Sequence, residues 1–501
     1  MEAPRKPETT PLLNEFPSRD LERPTSNNRQ NGYNAIIDRG LRHLKSTFGE
    51  PATIWSVEAK LLAKSALPLI LTYMLQYSYY LITIYIAGKL GTKEQAGASL
   101  AIMVAKITGI SIYEGLATSL DTLTSQAYGG GRKELVGLHL QRMSALMIVA
   151  TIPIGAIWIS SPWILQRLVP EPELAELAGL YLRYYLIGAP GYGLFEAGKR
   201  FTQAQGNFTA SLVVMILCAP LNVFWSWLFV FRFDAGLKGA ALATALSNNL
   251  QPLILLVYVN TFARDLLECW PGLLLKGAFW NWGDMLRLSI PGVSMILSEW
   301  LAFEILAFLS SYISTAALAA QSVLISVTII MYHIPYPVAI AASTRFGNLI
   351  GRGAVAPARE LWIIYYTIFV GIGIFNTVLL LSLRHVIADN FTSDSDVRKL
   401  ILATIPLVAA AELFDTMSAI ANGLLRGLGR QRIGGIINFG VYYGWAVPLS
   451  LLLTFGPLNL GLAGLWVGPL TGLGLVTVII SIYLKFSDWQ NAIDDAKACQ
   501  I

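Results

Sequence analysis

The chain has 501 residues, of which 54% are hydrophobic and 13% are charged, and its formal net charge is +5. Soluble domains carry about 25% charged residues, so this composition excludes an ordinary soluble protein and indicates an all-α polytopic membrane protein. Lys and Arg occur singly or in pairs between apolar segments, which argues against a nucleic-acid-binding protein. The three cysteines lack the spacing of zinc or disulfide frameworks, and no metal or cofactor is expected.

Residues 1–60 are rich in Pro, Asn, Arg and Glu and are predicted to form a disordered cytoplasmic tail. The tail lacks the apolar region of a cleaved signal peptide. Glu8, Leu12 and Leu13 have the spacing of the acidic dileucine signal that sorting adaptors read on vacuolar cargo. So short a pattern also arises by chance in a polar tail, and both interpretations stay open.

Twelve apolar windows of about 20 residues follow, each long enough to cross a bilayer as a helix. A polar segment at residues 263–284 is predicted to be a cytoplasmic linker between an N-lobe (61–262) and a C-lobe (285–485), with a cytoplasmic tail at 486–501. The twelve predicted helices are 65–87, 96–123, 138–160, 177–198, 208–231, 239–261, 287–312, 316–341, 361–383, 400–424, 433–455 and 461–485.

The distribution of Lys and Arg predicts the orientation of the chain. Fourteen of these residues, Lys199, Arg200 and Arg426 among them, fall in loops after even-numbered helices, and eight fall in loops after odd-numbered helices. Because basic loops stay on the cytoplasmic side, both chain ends are predicted to face the cytoplasm. Asn390 then lies on the luminal or external side as a glycosylation acceptor.

The two halves of the chain repeat the same glycine landmarks. Gly129 in the first half corresponds to Gly351 in the second, and Gly206 corresponds to Gly429 at almost the same offset. Since each repeat holds an even number of helices, both halves enter the membrane from the same side. The sequence therefore predicts two pseudo-symmetric six-helix lobes related by an axis along the membrane normal, with a cavity between or within them, as in secondary transporters.

Four carboxylates lie within apolar helices of the second half. Glu299 and Glu304 occupy the middle of helix seven, while Glu412 and Asp415 lie on one face of helix ten. A carboxylate at the centre of a membrane helix costs about 2.5–3.5 kcal/mol, and removal from water favours its protonated form. If the two helices pack together, the acids form a proton-exchanging site; the alternative is a set of hydrogen-bonded structural acids. No Lys or Arg lies mid-helix in helices seven to twelve, which favours the first interpretation.

Aromatic and polar residues near these acids are candidates for a substrate pocket. Aromatic rings hold flat or cationic organic molecules by stacking and cation–π attraction, although they are also common in membrane helices generally. In the first half, a mid-membrane glutamate is equally consistent with titration and with a structural role, whereas Asp121 is expected to cap or tie a loop. The candidate pocket residues are Trp300, Tyr312, Gln321, Tyr442, Tyr443, Glu114 and Gln76.

Five stretches stand out in order along the chain: LDTLTSQAYGGG (120–131), SEWLAFE (298–304), LAAQS (318–322), RFGNLIGRG (345–353) and LFDTMSAIANGLLRGLGRQRIGG (413–435). Together they resemble the eukaryotic, fungal branch of the multidrug and toxin extrusion (MATE) family, and the resemblance covers about residues 60–485. It implies twelve helices in two lobes that exchange a proton or sodium ion for an organic substrate.

The resemblance also implies roles for individual residues. The family's coupling acids fall on Glu299, Glu304 and Asp415 of this chain. Two departures matter: the acid that often precedes the LxAQS pattern is replaced by Ala317, and helix one offers only a glutamine where prokaryotic relatives carry acids. Sodium coupling in the first lobe is therefore not expected, and Glu412 is the candidate that compensates for Ala317.

The sequence thus predicts a non-enzymatic antiporter in the vacuolar or plasma membrane. It would exchange protons for small organic compounds, cationic or amphipathic, such as drugs, toxins or metabolites. The alternative is a flippase for a lipid-like or lipid-linked substrate, which would have a cavity open sideways to lipid and little dependence on a proton gradient. An intramembrane enzyme is not favoured, because the chain has no Asp-rich metal motif, His–Glu zinc motif or GxSxG nucleophile motif.

Overall fold

The computed structural model describes residues 54–169 and 171–498. Within these ranges the secondary structure is helical, with no strand. The predicted sorting signal at Glu8, Leu12 and Leu13 lies outside the described residues.

Twelve long helical segments, α1 to α12, run in chain order through the described residues, and each coincides with one predicted window. Their bounds are Ile54–Leu90, Thr92–Gly129, Lys133–Ile159, 172–204, Thr209–Arg232, Gly236–Thr261, Gly283–Ser310, Thr315–Gly351, Val355–Phe391, Ser395–Leu428, Gln431–Phe455 and Gly461–Phe486. Eleven of them are long and apolar enough to cross a membrane. The exception is α4, which carries buried charged residues. The prediction of an all-α, twelve-helix membrane protein is confirmed.

These helices form two lobes, α1–α6 and α7–α12. One buried apolar cluster lies in the first lobe and two lie in the second, while the largest belongs to the first lobe and extends to Met285 of α7. The repeated glycines end equivalent helices of the two lobes. Gly206 follows the end of α4 with φ 84°, and Gly429 ends α10 with φ 74°. A left-handed residue satisfies the last carbonyls of a helix, and glycine takes that conformation without steric cost.

The lobes meet where α2 crosses α7 and α8. A Cβ atom on Gly129 would lie 2.1 Å from the carbonyl oxygen of Asn348, and one on Gly351 would lie 2.1 Å from the carbonyl oxygen of Gln126. These contacts are reciprocal, because Gln126 and Asn348 occupy equivalent positions of the two repeats, as Gly129 and Gly351 do. Backbone therefore touches backbone across the lobe interface, at a distance that only glycine permits.

The two segments predicted as tails hold more structure than expected. Helix α1 begins at Ile54, before the predicted tail boundary at residue 60, and Glu58 pairs with Arg345 of α8 at 2.8 Å. At the other end, the predicted tail holds a further helix, α13 (Trp489–Ala498). The buried ring of Trp489 packs edge-on against Phe346 of α8, with centroids 5.4 Å apart. This part of the tail is therefore docked on the C-lobe.

The linker at 263–284 is also anchored. It contains a 3-10 turn at Arg264–Cys269 and a short helix at Leu275–Ala278. The side chain of Gln141 on α3 donates to the Gly272 carbonyl at 2.7 Å and accepts from the Leu274 amide at 2.8 Å. These two hydrogen bonds fix the linker to the first lobe.

Candidate functional site

Three of the four predicted acids share one site in the C-lobe. Glu412 and Asp415 are buried on α10, and Glu299 is half-buried on the facing helix α7. Among the charged groups that act on Glu299, Asp415 has the largest effect. The oxygens Glu412 Oε2 and Asp415 Oδ2 have no hydrogen-bond partner within the described residues. Glu304, further along α7, lies apart from this group, and the charge that acts on it is Lys106.

Two tyrosines of α11 adjoin the acid group in different ways. Tyr442 is buried, acts electrostatically on Glu299 and Asp415, and its hydroxyl has no hydrogen-bond partner among the described residues. The Tyr443 hydroxyl instead donates to the carbonyl of Ser298 at 3.2 Å. Tyr442 is therefore available to the acids, whereas Tyr443 holds α11 against α7.

Two predicted pocket residues are not placed with the acids. Tyr312 lies in the turn after α7, is 66% exposed and packs edge-on against Phe308. Because α7 ends at Ser310, Tyr312 belongs to the rim of the lobe. Gln321 is buried in α8 and accepts a hydrogen bond from the Trp466 indole at 2.8 Å, within the C-lobe core.

The N-lobe holds a second polar centre, and it includes residues that sequence reasoning missed. Lys199 Nζ lies 2.6 Å from Glu196 Oε1, and both side chains are fully buried in α4. Gln76 of α1 joins them by donating to Glu196 at 3.2 Å and accepting from Lys199 at 3.1 Å. Glu114 of α2 accepts from the Tyr192 hydroxyl at 2.9 Å.

The prediction of a cytoplasmic loop at Lys199 and Arg200 is wrong. It rests on the rule that polar residues at the end of an apolar window are exposed to solvent, whereas α4 continues to Ala204 and carries both residues into the protein. The spacing of Glu196 and Lys199 on one helix face is the signal that could have identified the pair. Lys199, Arg200 and Arg426 are all buried, so they no longer count as basic residues in loops. The loops after even-numbered helices still hold more Lys and Arg than those after odd-numbered helices, but by a smaller margin.

Asp121 is not a loop cap as predicted but lies within α2 and links the two lobes. Its Oδ1 is 3.0 Å from Arg200 Nε of α4, and its Oδ2 is 3.7 Å from Arg426 Nε of α10. The exposed fractions of the two arginines are 1% and 4%. Nearby, the side chain of Gln126 donates to the Gly427 carbonyl at 2.9 Å. We call Asp121, Arg200 and Arg426 the interlobe ion cluster.

We expect Asp121→Asn to destabilise the purified protein, because it leaves two buried guanidinium groups without their counter-charge. Removing one partner from a buried ion pair costs about 3–5 kcal/mol. The melting temperature in detergent should therefore fall clearly below that of the wild type.

Glu173→Gln is the matched control, since it breaks an exposed pair with Lys93. Exposed pairs contribute about 0–1 kcal/mol, so this variant should melt close to the wild type. An Asp121→Asn protein that melts with the control would show that the interlobe ion cluster does not hold the lobes together.

Comparisons with known proteins agree with this architecture. A family model described as MatE matches residues 68–228 and 291–452. The chain is 38% identical over 475 residues to an uncharacterized transporter of Schizosaccharomyces pombe, covering 92% of this chain and 87% of the relative. It is 31% identical over 459 residues to multidrug and toxin extrusion protein 2 of Mus musculus, covering 92% and 80%. The crystal structure of a eukaryotic MATE transporter, 28% identical, superposes with a TM-score of 0.84, covering 89% of this chain and 99% of that one.

Proposed function

Because the chain belongs to the multidrug and toxin extrusion (MATE) family, we propose that this membrane transporter exchanges protons for organic compounds. Efflux transport is the activity that family membership supports. The finer proposal concerns the coupling ion and the substrate, and it is supported by the acid group that Glu299, Glu412 and Asp415 form in the C-lobe. We propose these residues, with Glu304, as the coupling and cation-binding acids.

The acid group supports proton coupling because it lacks a paired cation. None of its three carboxylates forms an ion pair with a Lys or Arg in the described part of the chain, although Arg426 and Lys106 act on Glu299 from a distance. Three carboxylates that share a low-dielectric site cannot all carry a charge at once. Such a site takes up protons, and it releases them when a cationic substrate supplies the missing positive charge.

The exchange follows from this competition. A proton that enters from the acidic side neutralises Glu299 or Asp415, which removes the attraction for the cationic group of the substrate. Proton binding and substrate binding are therefore coupled. A bound proton lowers the affinity for the substrate, and a bound substrate lowers the affinity for the proton by the same factor. The lobes then reorient, and the contact of α2 with α8 opens and closes during the cycle.

We further propose that both termini face the cytoplasm and that the protein acts in the vacuolar or plasma membrane. The basic loops support this orientation. Asn390, which is exposed at the end of α9, would then carry a glycan on the opposite side. A sorting adaptor that reads Glu8, Leu12 and Leu13 would deliver the protein to the vacuole.

Proteoliposomes test the proposal. Uptake is measured for rhodamine 123, a cationic ester, and rhodamine 110, its counterpart with a free carboxylate. The vesicles carry an outward proton gradient or an outward sodium gradient, with the membrane potential clamped and protein-free vesicles as the control. Uptake that requires the proton gradient supports the antiporter, and uptake driven by sodium alone contradicts proton coupling. Dye uptake that depends on neither gradient would favour the alternative function, a flippase.

A further inference from the structure

Lys106 is a basic residue in the middle of a membrane helix, and its position is unusual. It begins a π-helical turn, Lys106–Ile110, within α2. The residue lies 14 positions after the start of the helix at Thr92, about 21 Å along its axis and well inside the helical segment. π turns within α-helices frequently mark functional positions. Here the turn directs the side chain of an N-lobe residue toward the C-lobe.

The side chain of Lys106 rests on an aromatic ring of the opposite lobe. Its Nζ lies 4.6 Å from the ring centroid of Trp300 on α7, and both residues are half-buried. The ammonium group has three N–H donors. Within the described residues it makes no hydrogen bond and no ion pair, so the cation–π contact is the interaction that holds it in place.

The charges that face Lys106 come from three elements. Glu304 acts on it most strongly, followed by Glu114 of its own helix and Glu299 of α7. His333, at the break in α8, is also within electrostatic range. If the role of Lys106 were to neutralise Glu304, the two groups would be expected to form an ion pair. Instead the ammonium lies over the ring, with its donors free for a ligand.

A ligand that completes this site must offer acceptor oxygens to Lys106. A flat ring system would stack against Trp300, and a cationic group at the other end of the same molecule would reach the carboxylates of α7 and α10. A carboxylate is the group that best meets an ammonium donor inside a protein, because charge-assisted hydrogen bonds are the strong ones.

We propose that Lys106 and Trp300 form a carboxylate-binding subsite at the lobe interface, which makes aromatic zwitterions preferred substrates over the corresponding monocations. This inference rests on the proposed transport function and specifies its substrate class. The subsite uses one residue from each lobe, so a bound zwitterion would contact both halves of the transporter at once.

Equilibrium binding to the purified protein tests the subsite without any ion gradient. Fluorescence anisotropy of rhodamine 110 and rhodamine 123 compares a carboxylate with its methyl ester on the same ring system. We expect the wild type to bind rhodamine 110 about tenfold more tightly, as one charge-assisted hydrogen bond provides. Lys106→Gln should abolish this ratio, and Lys106→Arg should keep it. Lys93→Gln, which removes an exposed lysine, is the control and should bind like the wild type.

Two results would overturn the subsite. Equal affinity of the wild type for both dyes would do so without any variant. A Lys106→Gln protein that gains affinity for rhodamine 123 and keeps its affinity for rhodamine 110 would show that Lys106 only competes with substrate cations. Because the binding ratio needs no gradient, a wild type that binds both dyes equally but keeps proton-driven uptake overturns the subsite alone. A retained ratio without proton-driven uptake overturns the proposed antiport alone.

Discussion

Proton-driven uptake should be lost in Glu299→Gln. The amide has the size of the carboxyl group but cannot release or bind a proton, so the exchange of a proton for a substrate has no acceptor at this position. In coupled systems one ligand changes the affinity for the other by a factor of about 5–150. We expect a proton to weaken substrate binding by a factor in this range in the wild type, and the proton gradient to drive uptake in the wild type but not in the variant.

The partner substitution Asp415→Asn should behave in the same way, because Asp415 is the charge that acts most strongly on Glu299. The double variant should be no worse than either single one, since residues of one titrating site are not additive. Glu134→Gln is the matched control, an exposed acid at the first turn of α3. Proton-driven uptake at half the wild-type rate or more in Glu299→Gln would remove this residue from the coupling site.

A single methyl group at the lobe crossing should arrest the transport cycle. In Gly129→Ala the new Cβ would lie 2.1 Å from the Asn348 carbonyl oxygen, and backbone on both sides leaves no flexible atom to move aside. The arrangement in which α2 touches α8 is the closed state, and the one in which they separate is the open state. If the closed state loses about 3 kcal/mol, its population relative to the open state falls by a factor of about 100. Transport of either dye should drop to background while the protein still folds. Gly351→Ala, the equivalent change in the second repeat, should have the same effect.

Accessibility of the crossing separates arrested transport from misfolding. A cysteine introduced at the buried position Ser125, after replacement of the three native cysteines, should react with a small thiol reagent in Gly129→Ala and be protected otherwise. Gly371→Ala in α9 is the control, because nothing lies within 4 Å of its Cβ position. Full protection of this cysteine in an inactive Gly129→Ala protein would rule out failure to close as the cause.

The helices could be predicted because their signal is local. Each window of apolar residues specifies a membrane helix whatever the rest of the chain does, and the glycine repeats place the windows in two equivalent halves. The acids on α7 and α10 could be identified for the same reason, because a charged residue stands out in an otherwise apolar stretch. Tyr312 is a predicted pocket residue because it is an aromatic near the acids in the sequence, and Gln321 lies in the LAAQS stretch. In the structure Tyr312 lies beyond the end of α7, and Gln321 accepts a hydrogen bond from Trp466.

What sequence reasoning missed depends on partners far away in the chain. Asp121 and Arg426 lie in different halves of the sequence, and neither residue indicates the other. Lys106 lies inside the apolar window of the second helix, and a mid-membrane lysine is itself a local signal that sequence reasoning missed. Its importance arises from Trp300 of the opposite lobe, a contact that only the folded chain creates.

The reciprocal contacts of Gly129 and Gly351 make the lobes comparable to the two subunits of a homodimer joined by a covalent linker. In a twofold dimer, each surface patch meets its own copy, and any substitution is felt twice. A duplicated chain keeps that self-complementary contact but lets the copies diverge separately. Position 343, the equivalent of Asp121, is a serine. The two repeats thus keep the same glycine contact while only the first carries a charge, at Asp121. A true homodimer cannot do this, because its two subunits have one sequence.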